Sequence, residues 1–318
     1  MMKFIGNTKF ETIGSDPEFF ITKNERALPS SIFITPDYKG SDSNYPIFKD
    51  NLLIEGNIPY STVANLFVFN MTKLVFLMNT IVNKRQAVIS SKDAMKFAPR
   101  FLMFPDASNF GCSGYYNAWD DTDNDFLISK LHSTPILKGP IRTAGFHIHL
   151  GVTYTGEYQS STSKKTKNLN KELKNTPMEV VLKFHMNRII TRLFDLLVTN
   201  PSRYVHVSRE RALGYGGFGA FRTTPYGLEC RSLGGYFTQH KYLSWVADQS
   251  IKVIKYAGTL IEQNPDALIY FSRNVKLETV NDIYLDPKLY KIFNLNYDKE
   301  ISKINDITKY EKVRINTY

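Results

Sequence analysis

Four short stretches of this 318-residue chain carry the residue types from which metal and phosphate sites are built. Side chains two apart on a strand share a face, so each stretch divides into an apolar side and a chemical side. Across 13–21, Ile13, Pro17, Phe19 and Ile21 face one way and Gly14, Asp16 and Glu18 the other. Leu52, Ile54 and Ile58 oppose Glu55 and Asn57. Between 142 and 152, Ala144, Phe146, Ile148, Leu150 and Val152 form an apolar row opposite Gly145, His147, His149 and Gly151. From 226 to 233, Tyr226, Leu228 and Cys230 oppose Gly227, Glu229 and Arg231. An ordinary surface strand would show Lys, Thr, Ser or Gln on its wet side. These strands show carboxylates, imidazoles and a guanidinium instead, beside glycines that leave room. Carboxylate oxygens with one imidazole suit Mg2+ or Mn2+ better than structural zinc. Each stretch alone also has a plain structural reading: Asp16-Pro17-Glu18 as a strand start or turn, His147 and His149 as a satisfied pair, Glu229 and Arg231 as an ion-pair row. The weight lies in one division recurring four times.

Ahead of the fourth strand, residues 209–222 hold Arg209, Arg211 and Arg222 around four glycines, Gly214, Gly216, Gly217 and Gly219. Such glycines let backbone pass close to a ligand, and with Arg231 these arginines offer planar forks that match phosphate oxygens. No Gly-Lys-Ser/Thr closes the segment, so it is not a Walker loop. By itself it reads equally as a structural turn and as a phosphate site.

The elements that must position these residues follow from periodicity. Helices are expected over 61–84, 178–199 and 240–262. The first has Ser61 as N-cap and carries Val63, Leu66, Val68 and Leu74 at mixed helical spacings; the second lines one face with Val181, Phe184, Arg188, Ile189, Leu193 and Leu196, and the third does so with Leu243, Val246, Ile251, Ile254 and Ala257. The fold expected is α+β: a curved, mostly antiparallel sheet with these helices on its convex face and a polar cavity on the other. The whole chain, 1–318, reads as one unit with its core motifs at 11–237. It has a polar insertion at about 156–176 and a C-terminal helical part at 240–318, broken at Pro287.

Composition bounds the partners. Hydrophobic content of 42% and charged content of 22% are those of an ordinary globular protein. A net charge of +10 favours an anionic partner such as a nucleotide. Part of the excess is the local cluster Lys164, Lys165 and Lys167, which reads as a solvated loop, and nucleic acid is not the expected partner. Cys112 and Cys230 form no CxxC pair, and no disulfide framework is implied. The N-terminus lacks the apolar run of a signal peptide, and Asn65, Asn70, Lys73 and Asn79 interrupt the most apolar stretch. A cytoplasmic protein with no membrane association is expected.

The motifs resemble a known superfamily. Gly14-Ser15-Asp16-Pro17-Glu18-Phe19-Phe20 resembles the acidic first strand of glutamine synthetases. Ala144 to Leu150 is similar to their HxH strand, and Gly227 to Arg231 to their late E-x-R strand. Order and detail are closer to a phage-encoded branch, the COOH–NH2 ligase type 2 family of amidoligases. The matching features are the DPE start, a second Glu before a proline (Glu55 to Pro59), and Phe110-Gly111-Cys112. The R-T-A-G-x-H-x-H run (Arg142 to His149) and the Phe221 to Arg231 run complete the set, which spans residues 11 to about 237.

The resemblance implies an ATP-dependent carboxylate–amine ligase using Mg2+ or Mn2+. Its substrates would be a carboxylate and an amine on a small molecule, a peptide or a cell-wall component. Glu18 and Glu229 would ligate magnesium with help from Asp16 and His147, and Glu55 would complete a metal site facing the amine side. Arg222 and Arg231 would neutralise the transferring γ-phosphate, with Arg209, Arg211 and His149 also on the nucleotide. His149 and Asn57 would orient rather than ligate. The chain departs from the family pattern in lacking the amino-terminal domain of glutamine synthetases. Asn57 stands where a further carboxylate would be expected, and no acidic residue lies in 111–116. Three other readings remain: a phosphotransferase on the same fold, a metal-dependent hydrolase around His147 and His149, and an inert binding or virion-associated relative. If phage-encoded, the compartment is the host cytoplasm.

Overall fold

The computed structural model describes residues 3–35, 38, 42–108, 114–119, 139–159, 178–213, 216–263 and 284–304. Its axis is one long strand, β1 (Lys3–Lys23). On one side of β1 runs β9 (Phe146–Gln159), in register from Lys3↔Gln159 to Pro17↔Phe146 with a shift between Phe10 and Thr12. On the other side lies β4 (Leu53–Gly56), which pairs Glu55 with Glu18 and is extended by β3 (Ile47–Asp50). Beyond β9 follow β11 (Gly227–Cys230), β10 (Ala220–Thr224) and β7 (Tyr116–Asn117). The strands β2 (Arg26–Leu28) and β5 (Val88–Ser90) pair with the end of β1. A separate ribbon joins β6 (Ala94–Lys96) to β8 (Ile141–Thr143). Every one of these pairings is antiparallel. With the helices described below this is an α+β fold.

Most of the apolar rows lie where alternation places them, but Leu52 and Ala144, expected in those rows, pack in a second cluster instead. Ile13, Phe19, Ile21, Phe146, Ile148, Leu150, Val152, Leu228 and Cys230 share one core with the helices. Those helices are α1 (Ala64–Asn83), α2 (Met178–Phe194) and α5 (His240–Gln263). The chain leaves α2 through a π-helical turn, Asp195–Thr199, into α3 (Asn200–Val205) and then the short α4 (Arg209–Leu213). On the chemical face a second cluster, built on Phe20, Leu52, Leu53, Phe97 and Ala144, closes the sheet beyond Glu18. Phe20 shares the side of Asp16 and Glu18, so that side becomes apolar where the site ends.

Three expectations need correction. Ser61 does not cap α1: it forms a two-way backbone bridge with Ile13, and its Oγ accepts from Asn70. The helix starts at Ala64 and buries Phe67, Met71, Leu74, Met78 and Val82, leaving Val63 and Leu66 exposed. The helix is apolar nearly all round, so composition did not mark the inner face; the strand-like tie at Ser61 sets it. By length and composition α1 is apolar enough to cross a membrane, yet that buried stripe belongs to the main core. The polar insertion also starts later than expected, because 156–159 still belongs to β9 and pairs with 3–6. Residues 160–177 lie outside the described residues, as does Phe110-Gly111-Cys112. Pro287 opens a helix rather than breaking one: α6 (Pro287–Ile292) has it in the first turn, with Asp286 accepting from the Lys288 amide at 2.8 Å.

Gly227 has φ +149°, and a Cβ there would stand 2.1 Å from the Leu150 carbonyl oxygen of β9. That obstacle is backbone and cannot yield. Gly227→Ala is expected to cost about 2–3 kcal/mol of stability by urea denaturation. Gly14→Ala, whose Cβ would meet only ordinary contact at 3.6 Å, should cost less than about 1 kcal/mol.

Candidate active site

Antiparallel partners directly opposite each other share a face, and the register sets the site out as a row. Glu55 on β4 lies beside Glu18 on β1. Two residues along β1, Asp16 lies beside His147 on β9. Two residues along β9, His149 lies beside Glu229 on β11, and Glu229 beside Arg222 on β10. Residues distant in sequence thus form one diagonal band across four neighbouring pairings.

Within the band the polar atoms are close. His149 Nε2 is 2.9 Å from Asp16 Oδ1, and its Nδ1 is 2.8 Å from the Tyr226 hydroxyl. His147 sits centrally: Nδ1 lies 3.4 Å from Asp16 Oδ1 and 3.6 Å from Glu229 Oε1, and Nε2 lies 3.9 Å from Glu18 Oε1. Glu229 pairs with Arg231 and lies 3.7 Å from Arg222 Nη1. Glu18 accepts the Gly145 amide at 2.6 Å. Arg211, buried, donates from Nη2 to the carbonyls of Arg231 and Leu233. Gly145 is required here, since a Cβ would come within 2.5 Å of His147 Nε2 and 2.6 Å of Arg211 Nη2.

Burial and charge divide the band into two halves. In the first, burial alone would raise the Asp16 carboxyl, but the facing His149 and His147 hold it below the usual carboxylate range. Burial works against protonation of His149, and Asp16 overcomes it, raising His149. Burial, with Arg231 next, pushes His147 down to about 3, so it is neutral near pH 7. Burial, then Asp16, pushes Glu229 up to about 7. In the second half, burial raises Glu18 despite Arg211 and Arg231. Glu55 stands well above its usual value through burial and then the charges of Glu18, Asp16 and Asp50.

Two groups offer converging ligand atoms, each set within 4.8 Å: Asp16, His149 and Glu229, and Glu18, Asp50 and Glu55. The second is three hard carboxylates pressed together, with the charged forms of Glu18 and Glu55 disfavoured, an arrangement that a divalent cation relieves. The donor chemistry therefore fits Mg2+ or Mn2+. His147 borders both groups, whereas His149, expected on the nucleotide and to orient rather than ligate, offers a ligand atom to the first.

All the expected residues except Arg209 stand in this band or directly over it. Arg209 is exposed and lines a different cleft. Two contributors were not foreseen. Asp50 ends β3 just before the turn at Asn51, whose φ is +53°, and so reads as a turn residue. Tyr226 was placed with the apolar row, but it lies in the turn before β11, is 48% exposed and stacks on His149. On the same face, past Asp16, a cleft of about 450 Å³ opens over Gly14 and Gly151, with Asn57, Tyr60, His149 and Tyr226 around it.

No protein-family model matches the chain, and comparison with curated proteins finds no match.

Mg2+ or Mn2+ is expected to bind and to raise thermal stability, by about 2.7 kcal/mol when the ion is at a hundred times its Kd. The signs for Glu55 follow from its raised value: the protonated form is the one the metal-free fold favours, so its carboxylate destabilises the fold increasingly as pH rises above the ordinary Glu range. Glu55→Gln should therefore raise the metal-free melting temperature at neutral pH while shrinking the metal-induced increment. Calorimetric titration should also show affinity falling as pH drops through about 7, where Glu229 takes its proton. A melting temperature indifferent to both ions would remove the metal assignment.

Proposed function

We propose that the protein is an ATP-dependent carboxylate–amine ligase built on a glutamine-synthetase-like catalytic sheet. The supporting observation is the band itself: Asp16, Glu18, Glu55, His147, His149 and Glu229 on one face, with Arg222 and Arg231 at its β10–β11 end. The motif resemblance in β1, β9 and β11 supports the same reading. ATP supply places such an enzyme in the cytoplasm, the host's if the chain is phage-encoded.

A carboxylate acylates amines poorly because its leaving group would be oxide. Transfer of the γ-phosphoryl group to a carboxylate oxygen breaks the bond to the β–γ bridging oxygen, releases ADP and leaves an acyl phosphate. The amine nitrogen then attacks the acyl carbon, the carbon–oxygen bond breaks, and phosphate departs with the former carboxylate oxygen. One proton is lost from the nitrogen to solvent. The residues' task in both steps is positioning and charge neutralisation.

Asp16, His149 and Glu229, and separately Glu18, Asp50 and Glu55, would hold the cations, which supply compensation for the phosphate charges. Arg222, half-buried beside Glu229, is placed to meet the phosphoryl group in transfer. Arg231 is buried and paired with Glu229, so it fixes that carboxylate as well as adding positive potential. Neutral His147 contributes an uncharged donor among three carboxylates, where a second cation would weaken metal binding.

Titration with a non-hydrolysable ATP analogue should show binding that needs magnesium and is lost in Glu229→Ala. Arg222→Ala should lower turnover about 10²–10³-fold, the loss typical of removing one charge-stabilising donor, with the melting temperature nearly unchanged. Products separate the neighbouring chemistries. A carboxylate labelled with 18O passes one label to inorganic phosphate in a ligase, whereas a phosphotransferase leaves phosphate on its acceptor. Wild-type protein that binds no nucleotide would overturn the proposal.

A further inference from the structure

At the end of the band beyond Glu18, a second cleft of about 780 Å³ opens, and the reaction above makes no use of it. One wall is the run Lys92 to Lys96, which contains β6; His206 to Glu210 face it. Its floor is fixed by a polar knot. Asp93, buried, accepts the Tyr236 amide at 2.7 Å and lies 3.2 Å from His206 Nε2, and the His206 ring stacks on Tyr236 at 3.8 Å. The cleft lies one strand away from the carboxylates. Gly145, whose amide binds Glu18, bridges Gly234, and a Cβ on Gly235 would sit 3.4 Å from the Lys92 carbonyl oxygen and 3.6 Å from that of Glu18.

Two features of that wall point to the same ligand. The first is its backbone. Among the described residues β6 pairs with β8 alone, flanked by bonds from Ala144 N to Asp93 O and from Phe97 N to Pro140 O. Bonded pairs alternate along an antiparallel ladder, so Ala94 and Lys96 direct their N–H and C=O groups to the other edge. Among the described residues no third strand covers that edge. The second is charge. Lys92, just before β6, and Lys96, at its end, are exposed, and Arg209 is exposed across the cleft. Of the two carboxylates lining it, Asp93 is committed to the floor, and Glu210 takes a bond from Ser208 at 3.1 Å.

We propose that this groove binds an extended acidic peptide segment, added to β6 as a further strand. Its main chain bonds to Ala94 and Lys96, and its acidic side chains, two residues apart, meet Lys92, Lys96 and Arg209. The groove's role as a substrate handle rests on the ligase reading; its wall meets the backbone of β1 at Glu18 through Gly235. Binding itself requires neither nucleotide nor metal.

The test uses the full chain without nucleotide and three labelled hexapeptides, followed by fluorescence anisotropy. One alternates alanine and glutamate, one alternates alanine and lysine, and one is the glutamate peptide with all its backbone amides N-methylated. The glutamate peptide should bind at least about tenfold more tightly than both others. It should bind about tenfold more weakly to the Lys92→Glu/Lys96→Glu variant, whose exposed side chains leave the fold intact. Amide exchange at Ala94 and Lys96 should slow when it is present. Equal binding of the methylated peptide, an unaffected double variant, or no binding to wild type at millimolar concentration would each overturn the proposal. Glu229→Ala should bind the glutamate peptide normally; loss there would place the peptide on the carboxylate band instead and also overturn it. Peptide binding in a protein that binds no nucleotide would leave the groove standing and remove the ligase reading.

Discussion

The structure depends on holding acidic side chains side by side on one face of a sheet that the rest of the chain stabilises from behind. Like charges in direct cross-strand register repel, and burial sharpens the repulsion by removing water. The Glu18↔Glu55 pairing is this unfavourable arrangement, fixed by the β1–β4 register. It persists because a one-residue slip of β1 would turn Ile13, Phe19 and Ile21 out of the core. The hydrophobic face thus enforces a geometry that electrostatics alone would reject.

The reverse side of the sheet explains how the arginine-bearing edge is held to the same precision. Asp195, at the start of the π-helical turn, accepts from Trp119 Nε1 and the Gly219 amide, both at 2.6 Å, and from Ser232. Arg192 donates to the Ala118 carbonyl at 2.7 Å, Arg203 donates to the Gly216 carbonyl, and its guanidinium lies 3.6 Å above the Phe218 ring. Within the described residues, the glycine-rich segment is therefore clamped from below by buried charges. Its glycines admit that clamp: a Cβ on Gly219 would strike Asn117 and Trp119, and one on Gly216 would strike Arg211. The segment carries Arg211 and Arg222 into place, which reconciles the structural and functional readings of its composition.

Period-two alternation was enough to place the band, because both faces of a central strand are constrained and an error of one residue would have been visible in every row at once. It also gave most of the apolar face, and the 3.6-residue period separately gave the three long helices. What alternation lacks is information on residues outside regular strands. Asp50 and Tyr226 sit at turns, where side-chain direction follows local dihedrals rather than parity. The mixed spacings of the first helix left its inner stripe unresolved for a related reason, since Phe69 and Phe76 are as apolar as the residues α1 buries yet face outward. Arg209 separates from Arg211 because residues two apart on a helical turn point in different directions, a consequence of α4 that the glycine-rich composition concealed.

The two halves of the band differ in how their acids are balanced, and that difference gives the face a direction. Asp16 and Glu229 are met at short range by His149 and Arg231, with Arg222 on the outer strand, so that half carries cationic groups ready for a polyanion. Glu18 has the charges of Arg211 and Arg231 and Glu55 that of Arg231 to favour the carboxylate form, yet burial keeps both above the ordinary Glu range. In a carboxylate–amine ligase, phosphates would be drawn to the first half, while the cation that Glu18, Asp50 and Glu55 would hold offsets the crowding of acids in the second. One electrostatic gradient, fixed by strand register, would therefore orient the nucleotide before any side chain takes part in bond making.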